Sequence, residues 1–106
     1  MVLATIRMKF SSKKTGEALT ILRSIAERSR VQPGCLCSRV YRNGLEDNAL
    51  MFVQQWSNEA DLHRYLQSEE YYQVLLVLEM AIKQPEIRFD TISSSTGIET
   101  IEKARA

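Results

Sequence analysis

Hydrophobic and polar residues alternate in four stretches of the chain, which predicts four β-strands because neighbouring side chains of a strand point to opposite faces. In the first stretch, residues 2–10, Val2, Ile6 and Phe10 lie on one apolar face, and residues such as Arg7 lie on the other. The remaining predicted strands are residues 35–42, 49–56 and 86–93.

A long helix is predicted for residues 15–30, with Thr15 as its N-cap and Glu17 in its first turn. Small and apolar side chains recur every three or four positions along it, and they define the face expected to pack against the sheet. This inner face comprises Ala18, Leu22, Ile25, Ala26 and Ser29.

Two shorter helices are predicted after the third strand. Ser57 or Asn58 can cap the first of them, residues 59–66, by accepting hydrogen bonds from its free N–H groups. Ser68 can cap the second, which is predicted to run to about residue 83. Apolar residues cover more than one face of this second helix, so we expect it to be buried on two sides.

The last predicted helix, residues 97–104, follows a serine-rich linker. Thr96 and Glu99 have the spacing of a capping box, in which each side chain satisfies a backbone N–H group at the start of the helix. Ile98 and Ile101 are its only apolar anchors. A helix this short is marginal alone, so we expect it to need a surface on which to dock.

Two local features concern the middle of the predicted sheet. Asn43-Gly44 is typical of a type I′ hairpin turn, although the loop can also extend through Asn48. Cys35 and Cys37 are two residues apart on a predicted strand, which places both on one face. One distant histidine cannot complete a metal site with them, so we expect no metal and interpret them as small buried hydrophobic side chains.

The order of these elements is βαββααβ followed by a helix. With short connections and right-handed crossovers it predicts an α+β fold: a ferredoxin-like four-stranded antiparallel sheet with helices on one face. The opposite face carries Leu3, Thr5, Met51 and Val53, and no segment of the chain is predicted to cover it. Two copies packed sheet to sheet would bury this surface, so we expect a homodimer that forms a dimeric α+β barrel.

Composition and charge narrow the class of protein. A chain of 106 residues with 44% hydrophobic and 25% charged residues is typical of one globular domain. A net charge of +1 gives no electrostatic reason to expect nucleic acid or an acidic membrane as partner. The apolar run at residues 74–78 is too short to span a bilayer, and Arg7 and Lys9 interrupt any secretory signal. The cytoplasm is the expected location.

Short motifs spread over residues 1–93 carry a family resemblance. They are Gly34-Cys35-Leu36, Val53-Gln54-Gln55-Trp56-Ser57, Leu62, Tyr65-Leu66-Gln67-Ser68 and Pro85. Together they resemble the antibiotic biosynthesis monooxygenase (ABM) family, including its quinol monooxygenase members. Residues 1–93 would form the ABM-like ferredoxin-fold domain, and residues 94–106 would form a C-terminal linker and short helix outside it.

The resemblance implies a homodimer with a pocket in each subunit between the sheet and the helices. Well-studied members oxygenate phenolic or hydroquinone substrates with O2 and without metal, flavin or haem. The expected function is therefore a cofactor-independent monooxygenase, an oxidoreductase acting on a small aromatic substrate. The alternative is a non-catalytic dimeric barrel that binds a small molecule or partner protein, since a fold does not fix function. A partly polar pocket beside Trp56 and Tyr65 would favour the enzyme, and a packed interior would favour the binding protein.

The chain departs from the family pattern at several positions. Quinol-type members often have histidines at the positions of Tyr65 and Glu70, and their third strand ends in Glu-x-Trp where this chain has Gln54-Gln55-Trp56. In the haem-degrading branch a histidine ligand lies ten residues after a tryptophan. In this chain the tryptophan position is Tyr65 and the histidine position is Leu75. Leucine cannot bind iron, so the resemblance does not extend to haem degradation.

Two residues are the candidate catalytic groups. Tyr65 lies beside Leu62 and Leu66 on the predicted inner face, where its hydroxyl needs a partner that can be a backbone carbonyl, a water or a substrate oxygen. His63 is the only histidine, and its ordinary pKa suits a general base near neutral pH. It is also placed towards the edge of its helix, where a surface position is the simpler interpretation.

Four further residues are candidate substrate-binding groups. Trp56 can line the pocket or can be a structural plug between sheet and helix. Arg39 and Tyr41 share a strand face and can hold an anionic aromatic, although a cross-strand salt bridge would explain Arg39 equally well. Tyr72 can line the pocket or pack in an interface.

Overall fold

The computed structural model describes residues 1–106. Its elements follow the predicted order: β1 (Val2–Lys9), α1 (Thr15–Ser29), β2 (Cys35–Arg42), β3 (Ala49–Trp56), α2 (Glu59–Leu66), α3 (Glu69–Glu79), β4 (Glu86–Thr91) and α4 (Ile98–Ala104). The helix predicted to reach residue 83 ends at Glu79, and the fourth strand ends two residues early. The remaining differences in bounds are of one residue.

The four strands form one sheet in the order β2-β3-β1-β4, and all three pairings are antiparallel. The buried residues of β1 and β3 alternate along each strand, and the helices cover only the face onto which these residues point. This arrangement confirms the predicted ferredoxin-like α+β fold.

The core lies between the sheet and the helices. Apolar residues of β1 and β3 meet the inner stripe of α1, and Val74 and Val77 of α3 complete the cluster. The five residues predicted for the inner face of α1 are all buried, together with Thr15 and Leu19. Removal of this apolar surface from water is the main stabilising contribution to the fold.

A β-bulge at the start of β2 overturns the prediction for the two cysteines. Cys35 pairs with Trp56 and Cys37 pairs with Gln55, so that Leu36 is an extra residue on one strand. Cys35 therefore lies on the helix-covered face and Cys37 on the open face, and each is only half-buried. The extra residue reverses the alternation on which the prediction depended.

One predicted cap differs, and the structure decides between the two alternatives for the loop after β2. Thr15 lies inside α1 and bonds to the Ser11 carbonyl at 2.9 Å and Asn48 Oδ1 at 2.9 Å, so it is not the N-cap. The loop after β2 runs through Asn48, which has a φ of 63°, and does not close at Asn43-Gly44. A positive φ suits asparagine because its short polar side chain tolerates the left-handed region.

Three apolar surfaces stay exposed in the single chain. Helix α3 buries one face only, and Leu75 and Leu76 on its outer face are exposed, so the prediction of burial on two sides is wrong for the isolated subunit. Ile87 and Phe89 of β4 point to the helix-covered side but are each 47% exposed. Helix α4 has no buried residue.

Candidate functional site

Trp56 and Tyr65 form a buried aromatic pair at the junction between β3 and α2. Trp56 is the last residue of β3, and Asn58 starts α2 directly after it by accepting a hydrogen bond from the Asp61 N–H group at 2.9 Å. Tyr65 lies on the inner face of α2 beside Leu62. The two ring centroids are 4.8 Å apart, and the residues are 0% and 2% exposed.

Each member of this pair has a polar atom without a hydrogen-bond partner. Trp56 Nε1 and the Tyr65 hydroxyl are both buried and have no partner at hydrogen-bonding geometry, although Gln54 and Ser29 lie close enough to the Tyr65 hydroxyl to lower its pKa. A buried polar group in this condition costs about 1–3 kcal/mol, so such groups are rare and call for an explanation. Both atoms can donate a hydrogen bond to an oxygen of a ligand or of water.

Three neutral polar side chains form a network beside Tyr65. Ser29 comes from the end of α1, Ser38 from β2 and Gln54 from β3, and all three are buried. Ser29 Oγ is 2.7 Å from Ser38 Oγ, and Gln54 Nε2 donates to Ser29 Oγ at 3.1 Å and to Ser38 Oγ at 3.0 Å. The network therefore satisfies its own donors and joins three elements at the edge of the aromatic pair.

Burial favours the protonated forms of two tyrosines and one cysteine in this region. Burial raises the pKa of Tyr65 above its ordinary value, and although Gln54 and Ser29 lower this pKa, the charge of Glu70 raises it again. Burial also raises the pKa of Tyr71 to about 12, and the ring of Tyr71 meets that of Tyr65 edge-on at 5.3 Å. Burial likewise raises the pKa of the Cys35 thiol. All three groups therefore hold their protons.

Glu70 is the carboxylate that faces this region from α3. It accepts a hydrogen bond from Gln32 Nε2 at 2.8 Å, and its other oxygen lies 3.7 Å from Arg28 Nε. Both oxygens of Glu70 therefore contact donor groups, and the negative charge of Glu70 raises the pKa of Tyr65.

The other predicted site residues lie away from the aromatic pair. His63 is exposed on α2, and Tyr72 is 60% exposed on the outer face of α3. Arg39 and Tyr41 pair with Val53 and Met51 on the open face of the sheet. Of the six candidates, the structure brings together only Trp56 and Tyr65.

The serine–glutamine network is the part of the region that the sequence analysis did not identify. Its signal is a polar residue at a position where periodicity predicts an apolar one. Ser29 falls in the inner stripe of α1, and Gln54 alternates with Phe52 and Trp56 on the buried face of β3. Buried polar side chains are less common than buried apolar ones, so each such position is informative.

Two surface depressions lie elsewhere on the molecule. The larger, of about 450 Å³, is at the strand ends and is lined in part by Arg7, Arg42 and Lys83, with Lys9 bonded to Glu46 at 2.7 Å. The other, of about 370 Å³, lies between α1 and β2. Neither of these two depressions is lined by Trp56 or Tyr65.

Two further properties bear on the class of protein. The chain brings together no group of three or more His, Cys, Asp or Glu side chains with the placement of a metal site. None of its helices combines the length and the apolar character needed to cross a membrane.

The strand order and the single helical layer define a ferredoxin-like α+β domain. The sequence model of one family, antibiotic biosynthesis monooxygenase (ABM), matches residues 1–74. The chain belongs to this family.

Solved structures of other proteins have the same fold. A Deinococcus radiodurans protein, provisionally described as an antibiotic biosynthesis monooxygenase, superposes with a TM-score of 0.85 over 92% of this chain and 98% of its own, at 19% identity. Rv0793 from Mycobacterium tuberculosis superposes with a TM-score of 0.80 over 91% of this chain and 98% of its own, at 13% identity.

A relative found by sequence is uncharacterised. The Synechocystis protein sll1783 is 29% identical over 66 residues, which is 62% of this chain. The matched segment spans 45% of that relative, so the relative is considerably longer than the shared part.

Proposed function

We propose that this protein is a cofactor-independent monooxygenase that oxidises a small phenolic or hydroquinone substrate with O2. One observation carries this proposal. Two buried donor atoms without acceptors, Trp56 Nε1 and the Tyr65 hydroxyl, lie in a region of neutral polar side chains between the sheet and the helices. Donors fixed in a dry region stabilise an oxyanion more strongly than water does, because they need no reorganisation.

In this reaction the protein positions the substrate and stabilises its negative charge. A phenolate oxygen would accept hydrogen bonds from Tyr65 and Trp56, and the anion would transfer an electron to O2. Recombination forms a carbon–oxygen bond, and cleavage of the O–O bond gives a quinone and one water. One oxygen atom of O2 enters the product, the other leaves as water, and the substrate is the reductant. Of the predicted catalytic pair, Tyr65 would act as the donor. A role for the exposed His63 would require it to turn inward.

Access to the aromatic pair would be through movement of α2. This helix has eight residues, and its only buried side chains are Leu62 and Tyr65. Segments with few buried contacts open at a low free-energy cost compared with global unfolding. Because Tyr65 is on α2, displacement of this helix would open a space beside Trp56, and its return would bring Tyr65 back onto the bound substrate.

The proposed assembly is a homodimer formed through the open face of the sheet. Leu3, Met51 and Val53 lie on this face, and no helix of the chain covers them. Two copies packed face to face would bury this apolar surface in a dimeric α+β barrel. Arg39 and Tyr41 would then lie at the contact between subunits. The expected setting is the cytoplasm, with no nucleic acid or membrane partner.

A non-catalytic binding protein is the second candidate. The specific observation in its favour is the close packing of Trp56, which is fully buried and lines neither of the two depressions. Large aromatic residues commonly serve to fill a core. In that case the barrel would bind a small molecule or a partner protein at another surface.

Oxygen uptake distinguishes the two candidates. The purified protein, treated with a chelator, is mixed with hydroquinones, catechols and polycyclic phenols in an oxygen electrode. The enzyme hypothesis predicts uptake that is proportional to protein concentration, with one quinone formed for each O2 consumed. Tyr65→Phe should lower the rate, and Tyr71→Phe, which alters a neighbouring hydroxyl, should not. An absence of uptake with every compound would favour the binding protein.

A further inference from the structure

We infer that the depression between α1 and β2 binds a small organic phosphate monoester. It is lined by three arginines that make no ion pair and by the half-exposed ring of Tyr41. Neither Trp56 nor Tyr65 lines it, so this inference goes beyond the proposed function and does not rest on it. The ligand class is a phosphate group, which carries close to two negative charges, attached to a small apolar or aromatic group.

The charge of the lining favours a dianion. Its arginines are Arg23 on α1, Arg30 directly after α1 and Arg39 on β2, and Glu27 is its one acidic residue. These four residues have a formal charge of +2, although the net charge of the whole protein is only +1. Three other arginines of the chain pair with carboxylates, whereas these three do not. A phosphate monoester, with a charge of about −1.5 to −2 at neutral pH, therefore complements the depression.

Arg30 is already held in position for a ligand. Its Nε atom donates a hydrogen bond to the Ser38 carbonyl at 3.1 Å, which joins the end of α1 to β2. The two terminal nitrogen atoms of the guanidinium make no hydrogen bond within the chain, so they are free to donate two parallel bonds to phosphate oxygens. A side chain that is held before binding loses less conformational freedom when the ligand binds. Arg30 therefore contributes orientation as well as charge.

The depression also has an apolar part and room for more than a phosphate ion. Its lining includes Ala26, Val40 and the ring of Tyr41, which is 44% exposed. Its volume is about 370 Å³, whereas a water molecule in the liquid occupies about 30 Å³. This space admits a phosphate group together with a small organic substituent. An aromatic substituent can pack against the ring of Tyr41.

The depression stays accessible in the proposed dimer. Arg23 and Arg30 belong to the helical layer, on the opposite side of the sheet from the face expected to contact the second copy. The larger depression at the strand ends has the same formal charge, but Met51 of the open face lines it, so the second copy would cover it. The depression between α1 and β2 is therefore the one that a ligand reaches in either state of assembly.

Calorimetric titration with phenyl phosphate tests the inference. Phenyl sulfate is the matched ligand, since it has nearly the same shape and only one negative charge. At neutral pH and low salt we expect phenyl phosphate to bind more tightly, and we expect its affinity to fall as salt is added, because exposed charges are screened. Arg23→Gln should weaken the binding by about tenfold, the effect of losing one charge-assisted hydrogen bond. Glu27→Gln should strengthen it, because this change removes the one negative charge of the lining.

Two arginines elsewhere control for the change in net charge. Arg105 follows α4, and Arg42 lines the larger depression. Arg105→Gln and Arg42→Gln each remove one positive charge, as Arg23→Gln does, and both should leave the affinity for phenyl phosphate unchanged. A loss of affinity in Arg42→Gln without a loss in Arg23→Gln would place the ligand in the larger depression and overturn the inference.

Three other results would also overturn the inference. Equal affinity for phenyl phosphate and phenyl sulfate would mean that the depression does not select a dianion. Tighter binding of phthalate, which has two carboxylates, would contradict the assignment of a phosphate group. An absence of binding at about 10 mM phenyl phosphate would mean that the arginines form no site. None of these results depends on O2 uptake, so the proposed function would stand in each case.

Discussion

At the scale of single residues, the unpartnered hydroxyl of Tyr65 should affect stability and activity in opposite directions. Tyr65→Phe keeps the ring packed on Trp56 and removes a buried polar atom that has no partner. We expect the free energy of unfolding to stay constant or to rise by up to about 1 kcal/mol. We expect the rate with an active substrate to fall by about 10²–10³, as for loss of an oxyanion donor.

Urea denaturation and steady-state kinetics of the same samples measure both effects. A loss of stability greater than about 1 kcal/mol would mean that the hydroxyl has a protein partner in solution. Tyr71→Phe is the matched control, because it also removes one hydroxyl from a largely buried tyrosine.

Tyr71 itself should make the fold sensitive to alkali. Its pKa is raised to about 12, so between the ordinary value of about 10 and this value the folded state holds a proton that the unfolded state has lost. Stability from this group is therefore complete below pH 10 and is lost as the pH rises through 12. The urea concentration at the midpoint of denaturation should decrease as the pH is raised from 10 to 12, and the decrease should be smaller in Tyr71→Phe. If the midpoint of the variant decreased with pH as steeply as that of the wild type, this assignment would be contradicted.

At the scale of elements, Gly34 should be a sensitive connection between β2 and α2. Its φ is +82°, and a Cβ atom there would collide with the side chain of Asp61. The Gly34 carbonyl also accepts a hydrogen bond from the Ser57 N–H group at 2.8 Å. Gly34→Ala should therefore lower the free energy of unfolding by about 1–2 kcal/mol, the usual cost of a left-handed non-glycine residue.

Gly44→Ala is the control for this substitution, because no atom lies within 4 Å of a Cβ placed there. Thermal denaturation of the two variants should show a lower Tm for Gly34→Ala only. Equal Tm values would mean that the chain around Gly34 relaxes without cost.

Periodicity predicted the elements well because burial of one face acts over a whole strand or helix. All eight elements were predicted in order, and Trp56 and Tyr65 were both among the candidate site residues. The bulge at Leu36 could not be predicted, since it depends on the pairing of β2 with β3 and not on any local residue preference. The surface position of His63 was the simpler interpretation of the helical pattern, and His63 is exposed in the structure.

At the scale of the whole molecule, the open face of the sheet should hold two copies together. Val53→Lys places a charge among Leu3, Thr5 and Met51, and it should convert a dimer into a monomer of 12.2 kDa in sedimentation equilibrium. Burial of an unpaired charge in an apolar contact is strongly unfavourable. Leu75→Lys on the outer face of α3 is the control and should remain dimeric. If Leu75→Lys gave the monomer instead, the contact would lie on the helical side.

Oxygen uptake by the wild-type protein is the most direct test of the central claim, that the region around Trp56 and Tyr65 oxygenates a small phenolic anion without a cofactor. The sample is freed of metals, its absorbance spectrum is recorded to verify that no flavin or haem is present, and hydroquinones, catechols and polycyclic phenols are added at neutral pH. The account predicts uptake of O2 that depends on the substrate and falls about 10²–10³-fold in Tyr65→Phe. Uptake that is equal in wild type and Tyr65→Phe would contradict it, and so would an absence of uptake with every compound.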